Sequence, residues 1–431
     1  MKKDQYEDIF NIIPWFLPHG GITLKTNYKW RVVAQNFVLI VRSLANRSSK
    51  IWHNAERKIP NTKSQFRTIG TAFVSRDNNF DLIRLLAAAA VLVSHCYPLT
   101  GQVTEPFANY LGEYDTGGGW GVSIFFVNSG FLLTRSVLGR PVGTYFRSRI
   151  FRIIPALALV AFVESFLIGP VFTTLTLQEY LTNSETYNHL KNVSVFWIRQ
   201  VLPETFAQNP EAYSINGSLW TLPIESAFYI ALPCLAFIGL LRPWRIIALT
   251  VLTAAWLVYG VTELNWSWAN QGGLLFPGGP AYYVAKEALF FLIGALFWVH
   301  RDRIPMNGYL AIASVLLLTL FAYREYRLIA FYIALPYLVI YVAFAKQFRL
   351  RLYDKIGDLS YGTYLFAFPI QQAVVAAHGG DIGPIRLLFF ALPLTLCFAA
   401  ASWYLVEKPA LGFRQKIGQD RRRTQSFHTT I

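Results

Sequence analysis

Arg84 and His95 stand eleven residues apart in a stretch apolar enough to cross a membrane, Phe80-Asp81-Leu82-Ile83-Arg84 through Ala87–Ala90 to Ser94-His95-Cys96-Tyr97-Pro98. On a helix, eleven residues turn through about 1100°, roughly 20° past three full turns, so the two side chains share a face some ~16 Å apart. Asp81 falls near that face, and the small residues Ala87, Ala88 and Val91 lie between, leaving room for something thin alongside. Ionisable groups inside a span are costly and by default mark function. An imidazole there is a natural general base. The plainer alternative is a snorkelling arginine and a histidine bonded to a neighbouring helix.

Further polar groups recur in apolar surroundings. Glu225 follows Asn216-Gly217-Ser218-Leu219-Trp220-Thr221-Leu222-Pro223-Ile224, about one turn inside its span and at a depth comparable with His95. A carboxylate and an imidazole at one depth suit a base and its orienting partner. The alternative is a buried ion pair of Glu225 with another cation, for instance Lys286, while Glu164 is a further candidate for a buried partner. Arg149 and Arg152, with Arg147 beside them, are spaced by one helical turn just before an apolar run. Guanidinium forks match phosphate oxygens, so they read either as a phosphate clamp or as topology signals. Asn128 and Ser129 precede Gly130 in a small-residue span, where packing and donation to a substrate both fit. Tyr361 and Tyr364 belong to Ser360-Tyr361-Gly362-Thr363-Tyr364, as interfacial ring or as donor, ahead of a kinking Pro369.

The frame that must position these groups is a membrane bundle. The 431 residues are 54% hydrophobic and 16% aromatic, and apolar runs recur from Leu82 to Val406. A net charge of +15 sits between or beyond those runs, which fits cytoplasmic loops rather than nucleic acid binding. Cys96, Cys234 and Cys397 lie far apart, with no metal-ligand spacing and no disulfide framework. The opening MKKDQYEDIFNIIPWF is interrupted by acids and does not read as a cleavable signal.

About ten spans are expected, at 82–99, 120–138, 154–174, 221–241, 245–262, 282–300, 308–323, 328–345, 359–378 and 385–406. The fold class is all-α integral membrane. Segments 139–153, 301–307 and 346–358 and the tail concentrate Lys and Arg, whereas 100–119 carries only acids, so both termini are placed in the cytoplasm. Residues 1–79 form a basic extension with 13 Lys or Arg before Asn78. Val33, Phe37, Ile40, Val41 and Leu44 repeat there at helical spacing, as in an interfacial helix, and 46–77 reads as polar loop. Residues 80–407 make the transmembrane domain and 408–431 a basic tail. The absence of an internal repeat weighs against a transporter of duplicated halves.

The ordered motifs resemble the membrane acyltransferase-3 family over about residues 78–415. They are Asp81-x-x-Arg84 with His95, Gly121-Val122-x-x-Phe125-Phe126-x-x-Ser129-Gly130-Phe131, Arg149-x-x-Arg152-x-x-Pro155, Trp220-x-Leu222-x-x-Glu225, Ser360-Tyr361-Gly362-x-Tyr364, and the ending Glu407-Lys408-Pro409. Asn128 stands where that pattern leads one to expect an apolar residue, and the basic extension is not part of it. The resemblance implies ten spans in the bacterial cytoplasmic membrane and transfer of an acyl group, often acetyl, to sugars of cell-surface polysaccharides. Its donor would be acyl-CoA, with acetyl-CoA foremost, and no metal is expected. Its acceptor would be a glycan or a lipid-linked sugar, in contact with membrane lipid and without nucleic acid. The phosphates would rest on Arg149, Arg152 and Arg147, the acyl arm beside Arg84, and the thioester near His95 as base with Glu225 orienting it. Asn128, Ser129, Tyr361, Tyr364 and Lys286 are the candidate oxyanion or substrate contacts. The competing classes are a transporter or flippase of a lipid-linked sugar, and a structural membrane subunit. The first gives no reason for paired inner arginines, and the second fits poorly with so many polar groups inside spans.

Overall fold

The structure, a computed structural model, describes residues 67–73, 78–102, 105–111, 115–267, 270–320, 327–349 and 356–414. The interfacial helix expected around Val33–Leu44 and the end of the basic tail lie outside these residues. Ten helices of 13 residues or more follow in chain order among the described residues. They are α1 (Phe80–Leu99), α2 (Gly117–Gly139), α3 (Val142–Val163), α4 (Thr221–Phe237), α5 (Pro243–Glu263), α6 (Ala281–Val299), α7 (Gly308–Leu320), α8 (Arg327–Phe344), α9 (Ser360–Ala377) and α10 (Pro384–Ser402). α3 continues through a π-helical turn, Glu164–Ile168, to Phe172, and α10 through another, Trp403–Glu407, to Arg414.

Seven of these are long and apolar enough to cross a membrane, with α3 and α10 counted together with their extensions and α4 with the tight turn Gly217–Trp220 that precedes it. α7, α8 and α9 coincide with the other expected spans; the apolar parts of α7 and α8 are shorter, and α9 carries buried Gln371 and Gln372. This is a multi-pass membrane bundle. α6 lies at its centre, with 61% of its apolar window buried within the protein, whereas α5 buries 17% and turns its side chains outward.

Helix α3 corrects the sequence reading. Residues 139–153 were expected as a loop, but the helix begins at Val142 and carries Arg147, Arg149 and Arg152 within it. The arginines depress the local hydropathy, which hides the helix from a search for apolar runs, yet Arg152 has acidic partners on two other segments.

Glycine makes the central crossing possible. A Cβ on Gly130 of α2 would strike the backbone carbonyl of Phe291 on α6, and one on Gly294 would strike that of Val127. Small residues on both helices thus bring the backbones into direct contact. Ala87 and Val91 of α1 likewise pack against Gly121 of α2. The strip read as room for a thin ligand is therefore filled by a helix, and Ala87, Ala88 and Val91 are buried.

The segment before α1 also departs from the polar loop expected over 46–77. Residues Ile69–Ala72 form a capped helical turn with Ile69 fully buried. Its backbone is tied to the turn after α6, with Ile69 N–H donating to Ile304 O (3.0 Å) and Gly70 N–H to Arg301 O (2.8 Å). Phe73 then joins Phe80, Phe131, Trp298 and Phe344 in an aromatic cluster that pins α1, α2, α6 and α8 at one end of the bundle. Asn79 completes that anchor by donating to the carbonyls of Val342 and Ala345, the open C-terminal end of α8.

At the other end, residues 173–216 form short helical segments between Leu177 and Ser194, followed by turns. They are held by a fully buried network in which Glu164 of the π turn meets His189 Nε2 at 2.7 Å and accepts from Asn216 at 2.6 Å. A small hairpin, β1 (Leu274–Phe276) and β2 (Gly279–Pro280), precedes α6.

Candidate active site

Arg84 lies one turn into α1 and reaches Asp81 (2.9 Å) and Asp358 (3.1 Å), the latter just before α9. Arg152 of α3 lies 2.5 Å from the same Asp358 oxygen and 3.6 Å from Glu407, the last residue of the second π turn. The other Asp358 oxygen accepts from the backbone and hydroxyl of Ser360, and the free end of Glu407 accepts from Ser402. One carboxylate thus joins α1, α3 and the start of α9. Burial alone would raise the Asp358 carboxyl, but the Arg152 and Arg84 guanidiniums and the Ser360 hydrogen bonds hold it below the usual carboxylate range.

Above this network opens a cavity of about 350 Å³. Arg84, Arg149 and Arg152 stand on its walls with Ser129, Glu225, Tyr361 and Tyr364, so seven of the sequence candidates converge on one space. Glu225 accepts a hydrogen bond from Tyr229, one turn further along α4, and Tyr229 also lines the cavity. Tyr364 donates its only hydroxyl proton to Ser218 O (2.6 Å), so the Thr221 hydroxyl, 2.7 Å away, donates to the tyrosine oxygen. Tyr361 donates weakly to Ile153 O at 3.4 Å. Ser129 of α2 lines the same cavity.

The other candidates lie elsewhere. His95 is half-buried, its ring set edge-on to Phe368 at 5.2 Å, and its buried Nδ1 has no hydrogen-bond partner among the described residues. No hydrogen bond joins it to Glu225 among those residues. Ser94, its neighbour, packs against Gly118, whereas the cavity reaches along α2 toward that end only to Val122. Four residues of helix make about one turn, so the cavity ends roughly 5–6 Å short of the His95 level. Phe125 and Tyr364, with rings 5.7 Å apart, stand at that end.

Lys286 pairs with Asp115 (2.8 Å) and approaches Glu287 (3.5 Å), so the ion pair with Glu225 that the sequence allowed is not formed. Asn128 is buried, with neither amide atom bonded among the described residues. Arg147 does not line the cavity either. Asp358, Glu407 and Tyr229 received no role from the sequence. The available signal was an acid beside a span boundary in an arginine-rich end, and an aromatic hydroxyl four residues after Glu225.

Residues 77–404 match the acyltransferase-3 family model, described as an acyltransferase domain. The chain belongs to this family. This acyltransferase is 30% identical over 339 residues to a protein of Shigella phage Sf6 named O-acetyl transferase, covering 77% of this chain and 96% of the relative. It is 28% identical over 368 residues to nodulation protein 10 of Rhizobium leguminosarum bv. viciae, covering 79% of this chain and 95% of that one. No solved structure matches it significantly. Seven motif residues of the acyltransferase, Arg84, Ser129, Arg149, Arg152, Glu225, Tyr361 and Tyr364, come from five helices and meet at the cavity, whereas His95 of the same motif set lies beyond its end.

Proposed function

We propose that this acyltransferase is an O-acetyltransferase of the bacterial cytoplasmic membrane, moving acetyl from acetyl-CoA to a hydroxyl of a cell-surface glycan or its lipid-linked precursor. The supporting observation is the convergence of the family motifs on one cavity that opens beside buried arginines and runs toward His95. The likeness to a protein named O-acetyl transferase supports the acyl group and the oxygen acceptor.

In this reading the arginine end faces the cytoplasm, with both termini on that side, and the acyl arm enters the cavity from it. The thioester rises to the Phe125/Tyr364 end, where rotation of those rings and Phe368 opens the last turn to His95. His95 takes the proton of the acceptor hydroxyl as its oxygen attacks the thioester carbonyl. Ser129, which lines the cavity, donates its hydroxyl proton to the carbonyl oxygen as charge builds on it. Collapse of that intermediate expels CoA as the thiolate and leaves the ester on the acceptor. Glu225, held by Tyr229, keeps the cavity's positive groups in electrostatic balance.

The test is incorporation of labelled acetyl into surface glycan by cells carrying wild-type protein or His95→Ala. General-base loss should reduce transfer by about 10²–10⁴-fold. Wild-type transfer by a stably inserted His95→Ala protein would overturn the assignment.

A further inference from the structure

A second cavity, of about 590 Å³, opens at the same end of the bundle as the Asp358 network. Four arginines stand on its walls: Arg135 and Arg140 from the C-terminal end of α2, Arg149 from α3, and Arg301 from the turn after α6. No carboxylate belongs to its lining among the described residues, although Arg301 lies 3.5 Å from the exposed Asp302. Trp298 of the aromatic cluster stands in its wall, with the Arg301 guanidinium 4.4 Å from the Trp298 ring centre and that of Arg135 4.3 Å from the Phe73 ring centre. Stacking of this kind fixes a guanidinium's plane while leaving edge N–H groups to donate.

Loop arginines that only signal topology need to lie on one side of the membrane; nothing requires them to converge from three elements on one concavity. Like charges so gathered repel one another, and the repulsion is relieved when a polyanion binds among them. Arg149 lines this cavity and the 350 Å³ cavity alike. Arg152, which lines only the smaller of the two, is held between Asp358 and Glu407. A cavity of 350 Å³ lies near the lower end of the range for small-molecule sites, too small for a whole nucleotide thioester, and the basic cavity adds the space the nucleotide end needs.

We propose that Arg135, Arg140, Arg149 and Arg301 form the seat of the donor's phosphates, the diphosphate and the ribose 3′-phosphate of CoA. Arg149 is the doorpost past which the uncharged arm turns into the deeper cavity, and Arg152 is structural. This inference rests on the acyl-CoA reading above and extends its anionic end from Arg149 to Arg135, Arg140 and Arg301, which lie outside the family motifs.

The experiment compares binding of CoA with binding of pantetheine, which shares the arm and lacks every phosphate, to wild type and R140Q/R301Q in nanodiscs of neutral lipid. Wild type should prefer CoA, and the double variant should narrow that preference tenfold or more, while R140K/R301K restores most of it. Should R140Q/R301Q not insert, R140Q alone, at an exposed position at the end of α2, is read by the same ratio. An unchanged preference overturns the seat. So does full competition between CoA and phosphatidylglycerol included in the nanodisc, which would make the cavity a site for lipid headgroup phosphate. Wild-type protein that binds neither CoA nor pantetheine overturns the acyl-CoA reading itself, an outcome separate from an unchanged ratio.

Discussion

Arg152 holds Asp358 across 2.5 Å, from the middle of one helix to the residue that leads into another, and Arg84 shares the same carboxylate oxygen at 3.1 Å. The side chains are 19% and 10% exposed, so neither charge has enough water to replace its partner. Removing one member of such a pair leaves the other buried and uncompensated. Asp358→Asn should therefore cost about 3–5 kcal/mol in unfolding of the purified protein. The double variant R152Q/D358N should lose less than the sum of the two single changes, because they remove one shared interaction.

The same pair sets a pH dependence. The Asp358 carboxyl is held below the usual carboxylate range, so it takes up its proton less readily in the folded protein than in the unfolded chain. Its contribution is complete above the unfolded value of about 3.9 and fades as pH falls through the lower folded value. The stability gap between wild type and Asp358→Asn should be flat from pH 5 to 8 and close only below about pH 4. A gap that closes near neutrality would contradict this direction of shift.

Ser129 is the hydroxyl best placed to meet charge developing in the main cavity, because Tyr364 has already committed its proton to Ser218. Loss of an oxyanion donor typically lowers turnover by about 10²–10³-fold. Ser129→Ala should show a fall of that order in acetyl transfer, with little change in acetyl-CoA affinity measured by titration.

The crossing of α2 and α6 gives a packing test. Gly294→Leu puts a side chain where the Val127 carbonyl lies, and Gly130→Leu does the same against Phe291. Each should cost at least about 1–3 kcal/mol, with Ala milder than Leu at both positions. Thermal unfolding in one detergent reads the order.

Lys286 lies between Asp115 and Glu287 with its side chain 6% exposed. Lys286→Met strands both acids and should destabilise the protein by about 3–5 kcal/mol. Restoring an apolar surrounding with D115L/K286M/E287M should recover much of the loss, since a buried ionic cluster is often replaceable by well-packed apolar groups.

Most of the bundle was legible because apolar runs reveal spans directly; α1, α2 and α6 fall close to their expected limits. The start of α3 was hidden for the converse reason. Its arginines look like loop charges until Asp358 and Glu407, more than two hundred residues away, are brought beside Arg152. The site was legible where a motif residue lines a helix face, as with Arg84, Glu225 and Tyr364. It was not legible where tertiary packing decides. The Ala87–Val91 strip reads as open in sequence but meets Gly121, and His95 shares a helix face with Arg84 while the cavity follows other helices. Lys286 chose Asp115 over Glu225 because the chain before α2 folds back onto α6, which no local pattern records.

Each π-helical turn in the bundle carries an acid at one end: Glu164 begins the first and Glu407 closes the second. A wide turn accommodates one residue more than the regular spiral, so it resets the angular phase of everything downstream by about 100°. Excising a single residue from Trp403–Val406 would yield a smoother rod whose remaining length points the wrong way. Glu407 would swing off Arg152, and Leu411 and Arg414 would rotate out of the cavity wall. The irregularity works as a phase adjuster, so lengthening or shortening this stretch should be tolerated far less than substituting within it.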